Sequence, residues 1–132
     1  MEYVTLAVNG TLMRGLPLEP HLTEVGAVFI QERLTERCYR LWSVEDDHPA
    51  MLRVPREDPR AVRVAVEVWQ VPLEGLARIL MGEPEGLTVG KVLLENGETV
   101  LGVLGEPEAI RGQKEISEFG GWRAYLHALS LQ

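Results

Sequence analysis

The stretch AVNGTLMRG, Ala7 to Gly15, decides how the whole chain is read. An apolar run from Val4 to Val8 breaks there into Asn-Gly-Thr and offers a methionine and an arginine before a second glycine. A tight hairpin would return at once as an alternating second strand. The chain instead continues as LPLEPHLTEVG (Leu16 to Gly26), which has a proline in its approach and reads as a short helix. The segment is therefore expected to be a strand-to-helix loop.

Working outward, AVFIQERLT (27–35) and CYRLWSV (38–44) mix β-branched and aromatic residues as strands do. The clearest strand pattern runs from Val62 to Val71. Val62, Val64, Val66 and Val68 share one face at period two, while Arg63, Ala65, Glu67 and Trp69 share a polar and aromatic face suited to lining a cavity. In PLEGLARIL (72–80), Leu73, Leu76, Ala77 and Leu80 have helix spacing, and Pro72 suits a first turn. In LTVGKVLLENGETVLGVLG (87–105), two apolar runs flank Asn96-Gly97, which predicts a hairpin with a two-residue turn. The tail EISEFGGWRAYLHALSLQ (115–132) spaces Phe119, Trp122, Leu126 and Leu129 on one helix face, with Trp122 and Tyr125 as core anchors. RVPREDPRA (53–61) is charged, proline-bearing and aperiodic, hence a surface loop. Short strands with two or three helices predict one α+β domain over residues 1–132, built on a closed or strongly curled sheet.

Composition narrows the function. With 13 basic and 20 acidic residues the chain carries −7, which argues against nucleic acid or an anionic membrane as partner. No apolar run approaches the roughly 20 residues of a spanning helix, and the start lacks signal-peptide character, so a cytoplasmic location is expected. Cys38 stands alone and reads as a small buried apolar side chain. His21, His48 and His127 have no metal-ligand spacing, so neither metal nor cofactor is expected. His48, in DDHPAM, is a candidate for passing a proton or binding a carboxylate, against a turn histidine beside Asp46 and Asp47; His21 and His127 read as structural or solvent-facing. Glu67 and Lys91 both interrupt apolar strands and are expected to point inward as an ion pair, with a substrate-binding Lys91 as the alternative. Arg14, after the loop, is a candidate for bringing positive charge to an anion there, against a solvent-exposed arginine.

The loop VNGTLMRG resembles the signature turn of the γ-glutamylcyclotransferase-like superfamily, with Asn9 where a tyrosine is usual. Together with HPAMLRV, VEVWQVP, GEPEGLTVGKV, GVLGE and FGGWRAY, in that order, the chain resembles the C-terminal domain of allophanate hydrolase over nearly its whole length. The resemblance implies a small twisted mixed β-barrel with flanking helices. It implies that Asn9, Gly10, Thr11 and Leu12 line a pocket for the carboxylate end of a small substrate, by oriented backbone amides. A glutamate following a helix and facing this loop is implied as the proton-transfer group. Glu83 is the nearest match after GLARIL and Glu85 the alternative, while Met81 stands where an aspartate is usual. The implied function is binding of a small carboxylate, with decarboxylation of N-carboxycarbamate in urea and allophanate degradation as the reaction. The alternatives are a non-catalytic assembly or ligand-sensing module for an amidase partner or for a second copy of itself, and a γ-glutamyl cyclotransferase. No amidase half is present in the sequence. Met1 just before the first strand favours a free-standing chain over an excised domain.

Overall fold

A computed structural model describes residues 2–132. Its elements, in chain order, are β1 (Tyr3–Val8), α1 (Glu19–Glu24), β2 (Val28–Leu34), β3 (Tyr39–Val44), β4 (His48–Arg53), β5 (Ala65–Pro72), α2 (Leu76–Met81), β6 (Leu87–Leu93), β7 (Thr99–Gly105), β8 (Lys114–Glu115) and α3 (Trp122–Ser130). Five strands form one sheet in the order β2-β5-β1-β7-β6, and β4, β3 and β8 form a second. The first strand is thus the middle one. It runs antiparallel to β5 and parallel to β7. Leu6, Ala7 and Val8 are all buried, which fits a strand covered on both faces and explains its unbroken apolar run.

The α+β class expected from the element order is the observed one. The term barrel is too strong, because the five-stranded sheet does not close. Its edge strands β2 and β6 meet only just beyond their ends, at a single bridge between Thr35 and Leu94. There the N–H of Glu36 donates to Leu93 and that of Glu95 donates to Leu34. A curled sheet with one clasp is the accurate description.

Three expectations shift in detail. The strand predicted from Val62 begins at Ala65, because the Val62 N–H donates to the Tyr39 carbonyl of the other sheet, which makes residues 62–64 a corner between sheets. The predicted valine face holds from Val64 to Val68. The helix after β5 starts at Leu76, because Leu73 to Gly75 form a tighter 3-10 turn. That change of pitch turns Ile79 into the core and leaves Leu73 half exposed and Ala77 exposed, so Leu73 and Ala77 are not part of a buried stripe. The hairpin at Asn96-Gly97 is present, but its loop has three residues. The N–H of Leu94 donates to Glu98 and that of Gly97 to Leu94, with positive φ at Gly97 and not at Asn96. The closing helix packs Trp122 and Tyr125 into the core as expected, and Phe119 packs edge-on against Tyr125 from the turn before it. Cys38 is buried with a free thiol.

Candidate functional site

β1 ends at the Asn9–Gly15 loop. The Asn9 side chain donates from Nδ2 to the Val103 carbonyl at 2.9 Å, extending the parallel β1–β7 ladder by one side-chain rung. This fixes where the chain leaves the sheet. The loop then turns through a bond from the Met13 N–H to the Gly10 carbonyl and is tied to the approach of α1 by the Leu18 N–H on the Thr11 carbonyl. Among the described residues, no protein acceptor takes the N–H groups of Gly10, Thr11 or Leu12. Gly10 has no positive φ. Its missing side chain serves a close approach, since a Cβ there would lie 2.5 Å from Cδ of Pro49 on β4. The glycine admits a proline ring, which walls the loop on one side.

Opposite stands Glu83, just past the C-terminal end of α2. Residues Val8 to Leu12, Pro49, Glu83, Leu87 and Val103 enclose one small cavity. The loop and Glu83 therefore face a common space, 71 to 74 residues apart in sequence. The space open to a water centre is about 10 Å³, roughly one water. Glu83 Oε1 is buried and has no hydrogen-bond partner. Burial without a compensating charge pushes its carboxyl up to about 7, from an ordinary 4.5. Such a group gives and takes a proton near neutral pH. Glu85 is exposed and does not line the cavity.

The other candidates are not brought here. Arg14 turns away from the cavity: its backbone N–H and its Nε both reach the Glu67 carboxylate, at 2.9 and 3.2 Å, and its Nη2 meets Glu32. Lys91 is exposed on β6, opposite Leu101, and lines an open hollow with Val4, Thr5 and Glu98. The Glu67–Lys91 pair expected from sequence does not exist. Glu67 is instead bonded by Arg14, by Arg123 of α3 at 3.0 Å and by the Trp69 indole at 3.2 Å. Burial alone would push its carboxyl up, but these donors together hold it below the ordinary glutamate range. The strand parity carried the missed signal, because Val92 and Leu94 are buried and Lys91 must then face outward.

His48 is buried, with Nδ1 2.7 Å from Asp47 and Nε2 unpartnered. Pro49 faces Gly10, so alternation along β4 puts the His48 ring on the other face, where Ala50 covers Gly105 of β7. It does not line the cavity. His127 is exposed on α3. His21 is half buried against the turn that carries Glu83, a contact with no local signature in the sequence.

The curled α+β sheet has a γ-glutamylcyclotransferase-like fold, shared with a solved structure only 16% identical at a TM-score of 0.75. Within that class the chain belongs to the allophanate hydrolase C-terminal domain family, whose model matches residues 4–127. It is 50% identical to c4763, a uropathogenic E. coli-specific protein, covering 96% of this chain and 98% of that one with a TM-score of 0.93. Against the allophanate hydrolase of Kluyveromyces lactis the identity is 29% and the TM-score 0.90, over 98% of this chain and 22% of that one. The urea amidolyase of Saccharomyces cerevisiae is 31% identical over 130 residues, 96% of this chain, and the chain spans only 7% of that protein's length.

Proposed function

We propose that the chain binds a small carboxylate in the Gly10–Leu12 and Glu83 cavity and uses Glu83 as a proton donor, with decarboxylation of N-carboxycarbamate as the reaction. The observation that carries this reading is the buried, unpartnered Glu83 Oε1 at the same small cavity as the Gly10–Leu12 loop, whose three backbone N–H groups have no protein acceptor. The amides suit carboxylate oxygens, and a neutral glutamic acid adds a donor where an ionised one would repel. In the reaction, one carboxylate leaves as carbon dioxide, the C–N bonding pair stays on nitrogen, and that nitrogen takes the Glu83 proton to give carbamate. Relatives that contain this domain within an allophanate hydrolase or a urea amidolyase support an amidase as the source of the substrate.

Malonate, a stable short dicarboxylate, tests the site. Saturable binding by NMR titration is expected to be tighter at pH 6 than at pH 8, weakening by up to about tenfold per pH unit above 7 as Glu83 must take up a proton. Glu83→Gln is expected to remove that pH dependence. No saturation at tens of millimolar, or the same pH dependence in the variant, would reject the assignment. Catalysis is tested by adding the chain to an allophanate-hydrolysing amidase stripped of its own C-terminal domain; faster carbon dioxide release is expected, and less with Glu83→Gln.

A second reading, a non-catalytic module for an amidase partner, is favoured by the cavity's size, which in this conformation holds roughly one water and no dicarboxylate. Binding to that amidase with no change in carbon dioxide release is its expected signature.

A further inference from the structure

His21 and Gly82 meet at the turn that carries Glu83, outside the residues that line the cavity. Gly82 caps α2 with ordinary right-handed dihedrals, φ −87° and ψ −6°, that any residue adopts. Its backbone conformation therefore does not call for glycine. The neighbour does: a Cβ at position 82 would lie 2.9 Å from Nδ1 and 3.0 Å from Cε1 of His21. The imidazole is thus stacked on the backbone of the residue that precedes Glu83, and its Nδ1 is buried there without a partner. From the backbone of His21 a short line of main-chain bonds runs to the other wall. The His21 N–H donates to the Leu18 carbonyl at 2.9 Å, and the Leu18 N–H donates to the Thr11 carbonyl at 2.8 Å. Thr11 is one of the residues across the cavity from Glu83.

We propose that His21 is a positioning residue whose ring, seated on Gly82, sets the separation between the Gly10–Leu12 loop and Glu83 and so selects the length of ligand the cavity admits. This rests on the carboxylate-binding reading for its ligand and on geometry alone for the spacing. Each wall is otherwise anchored elsewhere: the loop through Asn9 to β7, Glu83 through its N–H to Leu80 of α2. The α1 helix is the strut between them. Histidine is suited to the task because its ring is rigid and wide, with two torsions to fix.

Two readouts separate this proposal from the function it deepens. The first needs no ligand. Glu83 is the only ionisable side chain among the residues lining the cavity, so its carboxyl carbon reports on enclosure when followed by NMR against pH. In the unmodified chain burial pushes it up to about 7, where the midpoint is expected. Gly82→Ala drives the turn off the ring and is expected to open the cavity and move that midpoint down toward 4.5, the ordinary value, whereas His21→Ala removes the strut and is expected to let the walls approach and move the midpoint up. His21→Ala combined with Gly82→Ala is expected to bring it back toward that of the unmodified chain, since the added methyl occupies the space the ring left. Midpoints unchanged in both single variants, or no recovery in the double variant, would overturn the proposal, whether or not malonate binds. The second readout is selectivity: succinate, one methylene longer, is expected to gain roughly tenfold relative to malonate in Gly82→Ala. An unchanged ratio, with malonate still binding, would reject His21 as a length gauge while leaving the carboxylate site standing.

Discussion

A carboxyl that burial pushes up to about 7 acts on stability as well as on chemistry. The unfolded chain releases the Glu83 proton near 4.5, so below that pH both states hold it and the group costs nothing. As pH rises from 4.5 to about 7 the folded state keeps a proton that the unfolded state has shed, and above about 7 it ionises where burial disfavours the charge. The loss reaches about 3 kcal/mol on the alkaline side. Chemical denaturation at pH 5 and pH 8 is expected to show Glu83→Gln gaining several times more stability relative to the unmodified chain at the higher pH. An equal difference at both would mean that Glu83 is not desolvated. Glu115 has the opposite sign: the Arg40 guanidinium bonded to it holds it down to about 2, so its contribution is present above 4.5 and lost as pH falls through about 2. Residue by residue, sequence exposes the chemistry unevenly. A glutamate within an apolar strand announces Glu67 as special, but its partners Arg14 and Arg123 lie 53 and 56 positions away and no local spacing links them. Glu83 enters only through the likeness to a family, because nothing in MGEPEG distinguishes a buried glutamate from a solvated one.

Elements are legible where their period is long and their ends are local. The β6–β7 hairpin is readable from Asn96-Gly97, and only its loop length is not, since Asn-Gly serves both a two-residue type I′ loop, with two left-handed residues, and a three-residue loop, with one. Gly97→Ala is expected to cost about 1 kcal/mol through φ alone, because no neighbouring atom would touch the new methyl. The α2 stripe escapes the sequence pattern because the 3-10 turn before it changes the rotation per residue, an effect that a fixed period does not contain. Ile79→Ala is accordingly expected to cost about 2–5 kcal/mol, while Leu73→Ala stays within about 0.5 kcal/mol in thermal or denaturant unfolding. The sheet's clasp depends on Thr35, whose Oγ1 accepts the Val64 N–H and donates to the Glu36 carbonyl while the residue is fully buried. Thr35→Val keeps the shape and strands the Val64 N–H, at an expected cost of about 1–3 kcal/mol. A neutral result would mean that another acceptor takes over that donor.

For the molecule as a whole, the class of fold follows from the order of strand and helix signals, whereas the incomplete closure does not. Whether two edges 59 residues apart meet depends on accumulated twist, which no single segment encodes. The Glu67 hub ties β5, the loop after β1 and the start of α3 into one body. Arg123→Ala is expected to speed hydrogen exchange of the α3 amides roughly tenfold while leaving those of β1 unchanged, because one charge-assisted tie is lost and the central ladder is not. The position of β1 at the middle of the sheet also has a consequence on the ribosome. The strand made first is the one whose two neighbours, β5 and β7, are made last of its contacts. At about 5–20 residues per second, its bare backbone edges wait roughly 3–13 s for β5 to be synthesised and longer for β7. During that interval Leu6, Ala7 and Val8 form a nascent apolar segment with nothing to pair with, so chaperone crosslinking to stalled chains is expected to be strongest before Pro72 has emerged and to vanish once Gly105 has left the tunnel.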